Sequence, residues 1–177
     1  MDTGTASGRG KLHLVIDNSS KAPLIFSRSR WKKLMLLGNE ARETGKYCLA
    51  RFYYDRANRE AVAALAGLSG DPSVGAQELY DRASAHIIAA ESLANIYLLS
   101  GDRHKGLAVL IEAFERLLAR ARNRSLGMVY REVLMESVTI MLDCMVATMR
   151  SCGCCPHIIS DVMDRAGRAA YRLSQEG

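Results

Sequence analysis

A chain of 177 residues is long enough to bury one sizeable core and short for two. Hydrophobic residues make up 49% of it and charged residues 24%, with only 3 prolines, the composition of a soluble, mostly helical chain. The net charge of +5 favours acidic partners without choosing among peptide, nucleic acid and lipid. The most apolar stretch, Val133 to Met149, is broken by Glu136 and Asp143, which argues against a membrane span.

Residues 1–26 open the chain with a Gly, Ser and Thr-rich run. Leu12, Leu14 and Ile16 then alternate, and Pro23 precedes Leu24, Ile25 and Phe26. This reads either as an extended arm along the helical core or its groove, or as a loosely attached tail. The first apolar run is too short for a signal peptide, so a reducing cytoplasm with free thiols is expected.

A first helix is predicted from Ser27 or Ser29, either able to cap it, to about Thr44, with Trp31, Leu34, Leu37 and Ala41 at helical spacing. A second runs from about Lys46 to Leu68. Asp71 and Pro72 then read as N-cap and first residue of a long helix reaching Ser100, and Gly101 and Asp102 turn the chain into a partner helix, Arg103 to Asn123. A fifth, from about Ser125 to Arg150, is apolar nearly all round and should pack on more than one face. Its methionines, Met128, Met135, Met141, Met145 and Met149, read as core filler rather than an adaptable binding surface. After a Cys-rich turn, His157 to Ser174 forms the last helix.

The stretch Leu37 to Ala57 returns as Leu93 to Ala113. Leu37 matches Leu93, Gly38 Ala94, Asn39 Asn95, Gly45 Gly101, Ala50 Gly106, and Ala57 Ala113. Such self-similarity marks units that stack to bury a shared core. Each copy is two helices joined by a glycine, with a small residue on each helix to allow a close crossing. Gly106 within a helix costs ~1 kcal/mol relative to Ala, a cost that a crossing too tight for any larger side chain would explain.

This spacing resembles the tetratricopeptide repeat. The resemblance implies an all-α domain over 27–177: antiparallel helix pairs in a short superhelix of about six helices, behind an extended N-terminal arm. Repeat one covers about 29–68, repeat two about 72–123, and a degenerate or capping pair about 125–175. In the last pair Gly153 stands at the turn, but Val146 and Ile158 replace the small residues. The turn glycines Gly45 and Gly101 lie farther apart than the ~34 residues of the ordinary repeat, which calls for longer helices.

The resemblance also implies a concave groove that binds a peptide or partner protein. It would be lined by Lys32, Met35, Asn39, Arg42 and Glu43 from repeat one and by Ile88, Glu91, Asn95, Leu98 and Leu99 from repeat two. Asn39 and Asn95 share one repeat position, and an Asn amide can donate to and accept from a peptide backbone at once. The chaperone-tail clamp of some relatives is not expected, since Met35 and Ser92 stand where it needs Lys and Asn.

Two further clusters compete with the groove. Arg28, Arg30 and Lys33 oppose the dipole at the first helix start, while Arg120, Arg122 and Arg124 suit the dipole at the end of the fourth helix. Together they support the alternative of a basic nucleic-acid-contacting regulatory module, weakly, because Trp31 is the only aromatic among them. Cys152, Cys154, Cys155 and His157 are weak metal candidates whose spacing does not suit structural zinc, so no metal or cofactor is expected. No nucleophile elbow, phosphate-cradling loop or metalloprotease helix occurs, and a non-catalytic scaffold or adaptor is the expected role.

Overall fold

Six helices make up the computed structural model, which describes residues 27–67 and 75–175. They are α1 (Arg28–Glu43), α2 (Tyr47–Ala66), α3 (Ala76–Leu99), α4 (Arg103–Ala121), α5 (Met128–Ser151) and α6 (Pro156–Ser174). Among the described residues there is no strand. Ser27 caps α1 by accepting the Arg30 N–H at 3.3 Å, and Asp102 caps α4 by accepting the Lys105 N–H at 3.1 Å. Helix α3 begins at Ala76 behind Gly75. The N-terminal arm, the Asp71–Pro72 helix start and the Leu68 helix end all lie outside the described residues.

One turn geometry recurs at every pair. Gly45, Gly101 and Gly153 hold φ of 71°, 81° and 73°, the left-handed region that a side chain would strain. At each, the glycine N–H bonds back to the carbonyl three residues earlier and the next N–H reaches the carbonyl five earlier. The acceptors are Arg42 and Ala41, Leu98 and Tyr97, and Arg150 and Met149. This double bond closes the orphan carbonyls of a helix end and folds the next helix antiparallel to it.

Helix α3 is the spine. Its Ala89, Leu93 and Ile96 join Leu34, Met35, Ala50, Tyr54 and Ala57 in one core cluster. Its Leu79, Ala83, Ile87, Ala90 and Ala94 join a second that runs through α4, α5 and α6. Burying a Leu or Met side chain contributes about 1.5–3 kcal/mol, so Leu117, Leu118, Met141 and Met145, all essentially inaccessible, hold the second cluster together. The methionines Met141, Met145 and Met149 are thus core. Helix α5 packs on α3, α4 and α6 and leaves only a strip to solvent, which includes Val129 and Ile140.

The small residues do mark close crossings. A Cβ on Gly38 would stand 2.5 Å from Cε1 of Tyr54, and one on Gly106 would stand 3.0 Å from Leu98 and 3.1 Å from the Ala94 carbonyl oxygen. In the third pair Val146 is buried but Ile158 is exposed, so that close crossing is not repeated there.

Candidate partner-binding face

Because α3 is covered by α2, α4 and α5, and tied to α1 by the Arg28–Asp81 ion pair, most of its surface is buried. Ile88, Glu91, Asn95 and Leu99 remain exposed. Their spacing of three and four residues puts them on one face of the helix. On α5, Val129, Glu136, Ile140, Asp143 and Ala147 form a second exposed stripe at the same kind of spacing. The helices that carry the two stripes pack against each other. Burial, then the carboxylate of Glu91 on α3, then that of Asp143 on α5 push the pKa of the Cys144 thiol up. The charges of both carboxylates therefore act on one side chain.

Of the residues expected in the groove, Lys32, Arg42, Glu43, Ile88, Glu91, Asn95 and Leu99 are exposed. Three are engaged elsewhere. Met35 is core, 7% exposed, because it joins the cluster that residues of α1, α2 and α3 share. Leu98 packs over Gly106, filling the space that the missing side chain leaves. Asn39 is half-buried and its Oδ1 accepts the Tyr54 hydroxyl at 2.6 Å. It therefore serves the α1–α2 crossing, and only Asn95 offers a whole amide to a partner. The residues missed by sequence are Glu136, Ile140 and Asp143. Ile140 and Asp143 precede Gly153 as Ile88 and Glu91 precede Gly101, and that register was the available signal.

The basic cluster at the start of α1 is largely compensated. Arg28 pairs with Asp81 at 3.0 Å and Arg30 with Glu60 at 2.7 Å, acids from α3 and α2 that no local reading of α1 could supply. Lys33 is exposed. Arg120 is half-buried, and Arg122 donates to the Arg165 carbonyl at 3.3 Å. Arg122 and Arg124 share the lining of a cavity of about 100 Å³ with Arg131 and Arg172.

A second cavity, about 320 Å³, opens between α2 and α4 over His86 of α3. Asp55, Asn58, Arg59, Glu112 and Arg116 form its polar lining. His86 is 1% exposed; its Nδ1 meets Asn58 Oδ1 at 3.0 Å, and its Nε2 has no hydrogen-bond partner among the described residues. Burial and the Arg116 guanidinium push its pKa down to about 4, so the ring is neutral at physiological pH. With Nδ1 donating to Asn58, Nε2 carries the lone pair.

The five cysteines are all free; Cys152 and Cys154 are half-buried and Cys155 is exposed, as is His157. Among the described residues no three His, Cys, Asp or Glu side chains are placed to hold a metal, and no helix is long and apolar enough to cross a membrane.

The chain is therefore an all-α stack of antiparallel helix pairs with an exposed seam between α3 and α5. Residues 29–170 match the family model described as "Protein of unknown function (DUF2753)", and the chain belongs to that family. No curated protein and no solved structure matches it.

Proposed function

We propose that the chain is a non-catalytic interaction scaffold that holds a peptide or a segment of a partner protein along the face formed by α1, α3 and α5. The observation that carries this is the stripe of Ile88, Glu91, Asn95 and Leu99 on a helix that packs against α2, α4 and α5. Apolar side chains 46% and 59% exposed at Ile88 and Leu99 offer desolvation energy to a partner. The intervening Asn amide and carboxylate offer direction. Recurrent turns and close crossings of the tetratricopeptide kind support the same reading, since stacked pairs present their first helices to one groove. A cytoplasmic setting fits the free thiols.

The test is affinity purification from the source cell with wild type and with an Ile88→Ser/Asn95→Ala variant that melts like wild type. The expected result is a partner captured by the first and lost by the second. Equal recovery by both would remove this face from consideration.

The arginines around the smaller cavity favour a second reading, a module contacting nucleic-acid phosphates through Arg122, Arg124 and Arg172. It predicts the opposite pattern: steep loss of the captured partner with salt, and indifference to changes at Ile88 and Asn95.

A further inference from the structure

Resting on the scaffold reading above, we infer that the seam between α3 and α5 takes a basic amphipathic peptide segment. Its apolar side lies against Ile88 and Ile140, and its Lys or Arg side chains lie against Glu91, Glu136 and Asp143.

The net charge of +5 argues for acidic partners, but net charge is a property of the whole surface and binding is local. Several carboxylates elsewhere are spent on neighbours, Asp81 on Arg28, Glu60 on Arg30 and Glu115 on Arg165, while others such as Glu43 and Asp161 are exposed without an apolar stripe between them. Glu91, Glu136 and Asp143 are exposed and belong to no ion pair among the described residues. Between Val129 and Ala147 the α5 stripe carries no lysine or arginine, and the α3 stripe carries none; Arg150 stands at the far end of α5, two turns beyond Asp143. Ile88 and Ile140, 46% and 38% exposed, hold the same position relative to their turn glycines. The seam thus alternates apolar and acidic groups, and its complement alternates apolar and basic ones. A helix or strand of Leu and Lys supplies that pattern, in the helix-in-groove manner when helical. An acidic peptide, or the phosphates of a nucleic acid, would meet like charge here.

The test uses the full chain and a fluorescent synthetic peptide of Leu and Lys at helical spacing, read by anisotropy at about 0.15 M salt. Its counterparts are a Leu and Glu peptide of the same spacing and a single-stranded oligonucleotide. The basic peptide should bind and the acidic one should not. Neutralising the seam (Glu91→Gln, Glu136→Gln, Asp143→Asn together) should weaken binding about tenfold, each exposed pair contributing a factor of roughly 1.5 to 5. Ile88→Ser/Ile140→Ser should weaken it as well, with the thermal melt of both variants close to wild type.

Unchanged affinity in the neutralised variant, or no binding of the basic peptide, would overturn the inference. Binding of the acidic peptide that is lost in the Ile88→Ser/Ile140→Ser variant would overturn it while leaving the scaffold face standing. Binding of the basic peptide that neither variant disturbs would remove both. Oligonucleotide binding that survives neutralisation of the seam, with the basic peptide inert, would overturn the inference and move the contact to the arginines.

Discussion

Replacing a glycine inside a helix by alanine ordinarily stabilises, by ~1 kcal/mol, because alanine is the better helix former. At Gly38 the opposite is expected. The new methyl would stand 2.5 Å from Cε1 and 2.7 Å from Cδ1 of Tyr54, a ring with no exposure to solvent. The ring cannot tilt freely, because its hydroxyl is tied to Asn39 at 2.6 Å and it sits among Ala50 and Ala57. Overpacking of this kind costs about 1–3 kcal/mol. If the ring moves, the hydroxyl also leaves its acceptor, at about 0.5–1.5 kcal/mol. Against the helix-propensity gain, the net is a loss of about 1–3 kcal/mol, which lowers the melting temperature by roughly 3–10 °C in a chain of this size. Thermal and urea unfolding followed by circular dichroism would read it. Tyr54→Phe should cost less in the Gly38→Ala background than in wild type, because the strained ring has already surrendered part of the bond. A Gly38→Ala protein that melts at or above the wild-type temperature would refute the close crossing.

Gly106→Leu should be more severe, since the side chain meets both Leu98 and the Ala94 carbonyl. A melting temperature equal to wild type would contradict the α3–α4 crossing. Asn39→Ala should destabilise by about 1 kcal/mol through the orphaned Tyr54 hydroxyl, whereas Asn95→Ala should leave the melt unchanged and act only on partner binding. The buried His86 makes stability depend on pH. Its folded pKa of about 4 lies below the ordinary 6.5, so between these values the unfolded chain binds more protons. Its contribution is present in full above pH 6.5 and is lost as pH falls towards 4, by about 3 kcal/mol, a loss that His86→Phe should largely abolish in melts across that range.

Helix identity, the turn glycines and the close pairs were legible in the sequence because each rests on local physics. A glycine at a helix end, a Ser or Asp at its start and apolar residues at helical spacing act within a few residues of themselves. The same local logic failed at Met35 and Leu98. Repeat position placed both in a groove, but the core cluster shared by α1, α2 and α3 buries one and the vacancy over Gly106 draws in the other. Packing also separated Asn39 from Asn95, which repeat position had equated, since only repeat one has a tyrosine, Tyr54, across the crossing to claim the amide. Compensation of Arg28 and Arg30 by Asp81 and Glu60 was out of reach, because those acids lie on other helices, beyond what spacing along α1 reports. The sequence by itself determined an all-α stack of pairs and four exposed residues of α3, Ile88, Glu91, Asn95 and Leu99. Only the tertiary structure decided that α5 packs against α3, so that the charges of Glu91 and Asp143 both act on Cys144 and the two exposed acidic stripes fall on packed helices of a basic chain. Packing brings together charges that are far apart in sequence, and a sum over composition carries no information about where they meet.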